Sequence, residues 1–431
     1  MNGSGKSDPP IVPGKRPNKP GQLGAEAVEG RGGAEGTAGQ QSMGRTQGRE
    51  TVSQALTCVR EATKRNKRER FTSLMHHVTP DLLAWAFHQL KPKAAPGVDG
   101  VTWEEYAGAL DGNIGDLRHR VMRGAYRAKP SRRQYIPKPD GRQRPLGIAA
   151  LEDKIVQRAM VEVLNAIYEV NFLGFSYGFR PGRSQHDALD ALAYGISYRQ
   201  VNWVLDADIR AFFDCINHDW MMRFLEHRIG NRRVLRLIAK WLKAGVMEEG
   251  TWTEGTVGTP QGAVISPLLA NIYLHYVYDL WADHWRKRTA TGPMIVVRYA
   301  DDTIVGFQRH ADADRFLREL RERLAAFSLD LHPDKTRLIE FGRHAAQRRS
   351  VKGLAKPETF DFLGFTHICG KTGNGWFLLV RHTMRKRLQA KLLEIKEALY
   401  RMLHQPVAEQ GRWLGQVVRT AVRFKFAILP P

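Results

Sequence analysis

Two adjacent carboxylates, Asp301 and Asp302, stand between the apolar runs Met294-Ile295-Val296-Val297 and Thr303-Ile304-Val305-Gly306-Phe307. The pattern predicts a tight β-hairpin with the acids at its tip. Aspartate is a common turn former, and on an exposed turn that fact alone would account for the pair. The near-continuous apolar runs predict instead strands buried on both faces. A hairpin buried in that way carries its tip carboxylates into the protein, where like charges call for a cation. A divalent metal is the natural one. A further carboxylate is available in Trp203-Val204-Leu205-Asp206-Ala207-Asp208-Ile209-Arg210-Ala211-Phe212-Phe213, which reads as a strand entering a helix. Asp206 and Asp208 are two apart and so share a face, and either can join the hairpin pair. Two metal ions about 3.5–4 Å apart on carboxylate oxygens stabilise both the attacking and the leaving oxygen of an in-line phosphoryl transfer. That is polymerase chemistry.

The elements around these acids must bring a polyanion to them. The chain has 431 residues, room for two or three domains, and a formal net charge of +22 spread along its length. A nucleic acid is the expected partner. No apolar run approaches the roughly 18 residues of a membrane span, and no signal-peptide core opens the chain, so a cytoplasmic protein is expected. Cys58, Cys215 and Cys369 are too widely spaced for a disulfide framework or a metal pair. Residues 1–50, rich in Gly, Pro, Ser, Gln and Glu, cannot bury enough surface to order themselves and are expected to be disordered. Gly3-Ser4-Gly5-Lys6-Ser7 is not a phosphate loop, since the motif's first glycine would precede Met1 and no strand leads into it.

Ordered structure is expected from about residue 50. Arg60 to Arg70 form a basic run, a solvated helix face or an RNA contact. Thr79-Pro80-Asp81 predicts a helix start leading into Leu82–Leu90, and Thr102 with Glu105 fits a capping box. Gln134 to Ile148 reads as strand, Pro-Asp-Gly turn and strand, with Lys138 and Arg144 flanking the turn where they could grip a triphosphate. Ile155, Ala159, Val163 and Ile167 have helical spacing, as do Val234, Leu237, Ile238 and Trp241 within a basic segment, 232–243. Tyr177-Gly178-Phe179-Arg180-Pro181-Gly182-Arg183-Ser184 is small, basic and aromatic, which suits close approach to a nucleic-acid strand through Arg180 and Arg183. Arg381, Arg385, Lys386, Arg387 and Lys391, interleaved with Leu388, Leu392 and Ile395, predict an amphipathic basic helix able to follow an RNA backbone.

Taken in order, Ala95-Pro96-Gly97-Val98-Asp99-Gly100-Val101-Thr102, Ile136-Pro137-Lys138-Pro139-Asp140-Gly141, Gly178-Phe179-Arg180-Pro181-Gly182-Arg183-Ser184, Thr259-Pro260-Gln261-Gly262, Tyr299-Ala300-Asp301-Asp302, Leu331-His332-Pro333-Asp334-Lys335 and Phe362-Leu363-Gly364 resemble the reverse transcriptases encoded by bacterial group II introns. The likeness runs from about residue 70 to 380. It implies an α+β right-hand polymerase: N-terminal helices and fingers over 51–200, a palm over 201–380 and a partial helical thumb over 381–431. The family spacing sets the metal ligand five residues before an aromatic, which selects Asp208 with Phe213. The implied catalytic set is Asp208, Asp301 and Asp302 holding two Mg²⁺, with Mn²⁺ a substitute. Phe213 would exclude ribonucleotides by colliding with a 2′-hydroxyl. Gln261 would lie against the incoming nucleotide, and Lys335 would assist the leaving pyrophosphate. Ala263 stands where many relatives have Gly. The implied partners are group II intron RNA, a DNA primer and dNTPs. The C-terminal region is expected to be a shortened thumb without an endonuclease domain, as in the compact IIC type. The competing readings are a noncatalytic maturase that stabilises folded intron RNA, and a decayed fragment.

Overall fold

The computed structural model describes residues 56–137, 143–248, 251–259 and 262–426. In chain order the N-terminal elements are α1 (Thr57–Arg65), α2 (Pro80–His88), α3 (Trp103–Ala107), α4 (Leu110–Arg123), β1 (Ser131–Pro137), β2 (Gln143–Ile148), α5 (Leu151–Tyr168) and α6 (Gln185–Tyr198). They are followed by β3 (Trp203–Ala207), α7 (Phe212–Cys215), α8 (His218–Glu226), α9 (Arg232–Lys243), β4 (Val246–Glu248), β5 (Thr251–Thr253), α10 (Ser266–Leu274), a π-helical turn (His275–Asp279) and α11 (Leu280–Arg288). The remainder is β6 (Met294–Tyr299), β7 (Asp302–Phe307), α12 (His310–Ala325), β8 (Arg337–Glu340), α13 (Ala345–Val351), β9 (Phe360–Phe362), β10 (Phe365–Lys371), β11 (Phe377–Thr383), α14 (Arg385–Arg401) and α15 (Val407–Phe426).

Local chemistry sets several of these boundaries. Thr79 Oγ1 accepts the Leu82 amide at 3.1 Å to start α2, and the Thr102/Glu105 capping box is formed in both directions. A second capping box, Ser184 with Asp187, starts α6. Ile155, Ala159, Val163 and Ile167 of α5 are fully buried, as are Val234 and Ile238 of α9, so the 3.6-residue periodicity marks the packed faces. The basic run 60–70 is helical only as far as Arg65. The predicted C-terminal basic helix likewise begins later than expected, at Arg385, because 377–383 pairs along β10 as β11.

Two sheets position the site. The first has the order β6-β7-β3-β8, antiparallel throughout. Its two faces pack into different apolar clusters: Leu205, Val296 and Val305 into one, Val204, Val297 and Ile304 into the other. Alternation along a strand buried on both sides therefore explains the continuous apolar runs. The second sheet, β2-β1-β4-β5, joins the basic hairpin to a segment from far downstream, since β4 runs parallel to β1 with Ser131 opposite Val246. The β1–β2 register, from Arg132 opposite Ile148 to Pro137 opposite Gln143, matches the predicted hairpin. The third sheet, β11-β10-β9, places Phe360, Phe362 and Phe365 in the same cluster as Val204 and Ile304.

Candidate active site

The carboxylates meet because β3 and β7 are neighbours. Ala207, the last residue of β3, pairs with Thr303, and Asp208 and Asp302 adjoin that pair, near enough for the charge of Asp208 to act on Asp302. Tyr299 pairs with Asp302 across the β6–β7 turn, so Ala300 and Asp301 form its two-residue tip, with Ala300 in the left-handed region at φ +57°. Asp206, on β3 two residues before Asp208, pairs with Arg337 of β8. The chain after β3 is held by the segment after α12: the Arg210 amide donates to the Asp330 carbonyl and the His332 amide to the Asp208 carbonyl, both at 2.8 Å. That pairing brings Lys335 Nζ to 2.5 Å from Asp208 Oδ2.

Negative charge is therefore concentrated here. Asp302 reaches solvent, yet the protein packed around it and then the charges of Asp301, Asp208 and Asp206 push its carboxyl up to about 7. Asp206 is also pushed up to about 7, by burial first, with Asp208 and Asp361 adding to the effect and Arg337 and Lys335 opposing it. Carboxylates raised in this way bind cations in exchange for protons, and hard oxygen donors of this type suit Mg²⁺. The donor set thus fits a divalent ion in its chemistry. Among the described residues no three His, Cys, Asp or Glu side chains are already gathered as a metal-holding group, and the cation nearest Asp208 is the Lys335 ammonium. Asp214, two residues from the α7 start, is exposed.

Phe213 is tied by backbone hydrogen bonds to the segment that precedes Gln261. The Thr259 amide donates to the Phe213 carbonyl and the Gly258 amide to the Ile216 carbonyl, both at 2.8 Å, so the loop that leads to Gln261 is hydrogen-bonded to the turn carrying Phe213. Gly262, at φ +109°, lies so close to β2 that a Cβ there would come within 2.7 Å of the Gly147 carbonyl oxygen. The loop therefore bridges Phe213 and the basic hairpin. Lys138 and Gln261 lie outside the described residues, as does the side chain of Arg144.

Two of the expected RNA contacts are corrected by their surroundings. Arg180 is buried: its guanidinium pairs with Glu169 at 2.9 Å and donates to the carbonyls of Leu173 and Ser176. With its donors spent on the loop, it holds that loop together and is not free for a phosphate. Arg381 lies on β11, largely buried, with its guanidinium 3.4 Å from Asp190 of α6. Arg183 is half-buried, donating to the Gly174 carbonyl at 2.6 Å with its guanidinium over Tyr177. Arg385, Lys386 and Arg387, at the start of α14, are exposed.

Sequence reasoning missed Arg298, one position before the tip tyrosine and fully buried. Its guanidinium donates to both oxygens of Asp279 at 2.7 Å, to Ser176 Oγ, to Asn271 Oδ1 and to the Ala300 carbonyl. The signal was available: one charged residue inside an apolar strand must be paired.

A family model described as reverse transcriptase (RNA-dependent DNA polymerase) matches residues 136–367, more than half of the chain. The chain belongs to the reverse transcriptase family. Protein YkfC of Escherichia coli K12 is 36% identical over 329 residues, covering 66% of this chain and 85% of that protein. The group II intron-encoded protein LtrA of Lactococcus lactis is 34% identical over 222 residues, 51% of this chain and 37% of that protein. The putative COX1/OXI3 intron 1 protein of Saccharomyces cerevisiae is 28% identical over 321 residues, 63% of this chain and 38% of that protein. The chain thus spans most of the length of YkfC and under two fifths of the two intron proteins. Its mixed helices and sheets agree with the α+β right-hand fold the family implies. Reverse transcriptases in general use divalent metal ions. Among the described residues no helix is long and apolar enough to cross a membrane.

Proposed function

We propose that this chain extends a DNA primer along group II intron RNA by metal-assisted nucleotidyl transfer, in the cytoplasm where the transcript is made. The observation that carries this reading is the gathering of Asp206, Asp208, Asp301 and Asp302 at the ends of β3 and β7, close enough that their charges act on one another and help raise two of the four carboxyls to about 7. Asp208, Asp301 and Asp302 would hold the Mg²⁺ ions, with Mn²⁺ able to replace them. When bound, the ions supply the charge neutralisation that lets a primer 3′-hydroxyl attack the α-phosphate of a dNTP with loss of pyrophosphate. The protein's own share is positional. Phe213 sets the floor under the sugar, and the Gly258–Thr259 segment is hydrogen-bonded to the turn that carries it; Gln261 would contact the incoming nucleotide. Lys138 and Arg144, which flank the Pro-Asp-Gly sequence between β1 and β2, would offer a point charge and a bidentate fork to the triphosphate. Lys335, 2.5 Å from Asp208, balances the carboxylate in the absence of substrate and can turn to the departing pyrophosphate when ions take its place. In hand terms, residues 51–200 are N-terminal helices and fingers, 201–380 the palm and 381–431 a partial thumb, with β4 and β5 reaching back to widen the fingers sheet.

A maturase role is carried by a separate feature, the exposed basic start of α14 at Arg385, Lys386 and Arg387, together with the net charge of +22. The two activities separate experimentally. dNTP incorporation on a primed RNA template with Mg²⁺ should be lost in Asp301→Asn while affinity for intron RNA stays within about twofold, because the substitution removes one charge and no cation. Wild-type protein that is folded and binds intron RNA but incorporates nothing would leave the maturase reading alone standing.

A further inference from the structure

Arg298 makes no contact with solvent and none with any group expected to react, yet all five of its N–H donors are used. Nε and Nη2 grip Asp279 Oδ1 and Oδ2, each at 2.7 Å; Nη2 also reaches Ser176 Oγ at 2.6 Å. Nη1 is divided between Asn271 Oδ1 at 3.1 Å and the Ala300 carbonyl at 2.8 Å. The last of these acceptors belongs to the tip residue immediately before Asp301.

Three further observations tie this group to the carboxylate turn. Ala300 holds φ +57°, a conformation that an L-residue with a Cβ avoids and that persists only where the surroundings enforce it. Gly178 lies directly against it: a Cβ at Gly178 would come within 2.2 Å of the Ala300 nitrogen and 2.9 Å of the Tyr299 carbonyl carbon. Asn271 joins these two contacts, since its Oδ1 accepts from Arg298 while its Nδ2 donates to the Gly178 carbonyl at 2.7 Å. The loop before Gly178 is bound to the same strand by backbone bonds, from the Arg298 amide to the Phe175 carbonyl at 2.9 Å and from the Tyr177 amide to the Arg298 carbonyl at 2.8 Å. On a regular α-helix Asn271 and Asp279, eight residues apart, would diverge by roughly 80°. The π-helical turn His275–Asp279 between them winds more widely and brings both side chains onto Arg298.

We propose that Arg298, locked by Asp279 and Asn271, is a positioning residue that fixes the strained Ala300 turn, and through it the direction in which Asp301 and Asp302 present their carboxylates. The inference rests on the reading of those two acids as metal ligands. It goes beyond that reading in giving a buried side chain, remote from substrate, control over the ligand geometry, and in making the Phe175–Gly178 loop the rear wall of the turn.

The test uses the full chain with Asn271→Ala and Gly178→Ala. Asn271→Ala leaves the Arg298–Asp279 ion pair whole and removes one partner of Arg298 and one of Gly178. Gly178→Ala changes no charge and presses a methyl group onto the turn. Thermal melting and RNA affinity report the fold, Mn²⁺ binding to the protein without substrate is followed by electron paramagnetic resonance, and kcat and KM for dNTP are measured separately. The expected result for both variants is a kcat at least tenfold lower, KM for dNTP within twofold of wild type, and Mn²⁺ binding weakened at least threefold, with RNA affinity unchanged. Arg298→Lys should recover less than a tenth of wild-type kcat, since an ammonium cannot reach Asp279, Asn271 and Ala300 together. The proposal is overturned if either alanine variant shows wild-type kcat per folded molecule and wild-type Mn²⁺ binding, whether or not its melting temperature falls. If wild-type protein itself neither binds Mn²⁺ nor incorporates dNTP, the ligand assignment to Asp301 and Asp302 has failed instead.

Discussion

Asp153 provides a quantitative check on the packing that places the basic hairpin. Its carboxyl, only 2% exposed, sits in the first turn of α5. It accepts from the Tyr126 hydroxyl and from the Lys129 amide at 3.0 Å, two residues ahead of β1, while Trp241 of α9 donates to the Tyr126 oxygen at 3.1 Å. Burial raises the carboxyl to about 6, with the two hydrogen bonds and the Lys129 charge opposing that rise. An unfolded aspartate titrates at about 3.9, so the folded protein holds this proton more tightly by roughly 2 pH units, which is about 3 kcal/mol. The sign follows directly: the contribution is fully present below about pH 4 and is lost as pH rises through 6. Asp153→Asn cannot titrate. The stability difference between variant and wild type should therefore move by about 3 kcal/mol in the variant's favour between about pH 4 and pH 7.5, whatever constant offset the amide introduces. Urea unfolding followed by tryptophan fluorescence at a series of pH values measures this, with Trp241 a reporter inside the network. A stability difference that stays flat across that pH range would refute the assignment of a buried, proton-holding carboxyl.

Two other outcomes separate structural from nucleic-acid cations and test the sugar contact. Arg180→Ala removes the guanidinium that pairs with Glu169 and donates to the Leu173 and Ser176 carbonyls, and should destabilise the fold by about 3 kcal/mol, read as a lower melting temperature. The double change Arg385→Ala with Lys386→Ala should leave melting unaltered and reduce the slope of log binding constant against log salt by about 1.5 for RNA, as expected for two lost phosphate contacts. Phe213→Val should lower the preference for dNTP over NTP about tenfold or more in incorporation assays, with unchanged discrimination counting against its place beneath the sugar.

Local chemistry was legible from the sequence. The capping box at Thr102, the Thr79 helix start and the helical faces of α5 and α9 depend on neighbours within a few residues, so spacing alone reveals them. The buried hairpin carrying Asp301 and Asp302 was legible for a similar reason: alternation disappears when both faces of a strand are covered. The motif order carried the family, which the comparisons bear out. What the sequence could not reveal lies in partners far apart along the chain. Arg180 and Arg381 look identical to surface arginines until Glu169 and Asp190 are seen beside them. β11 looked like the start of a basic helix because its strand identity comes from pairing with β10. The pairing of β4 with β1 crosses more than a hundred residues, and the gathering of Ser176, Asn271, Asp279 and Arg298 needs both the β6 register and a π-helical turn. A sequence lists which charges must be buried or balanced; tertiary contact alone decides which opposite charge meets each one, because desolvation is a property of the assembled surroundings and not of the residue.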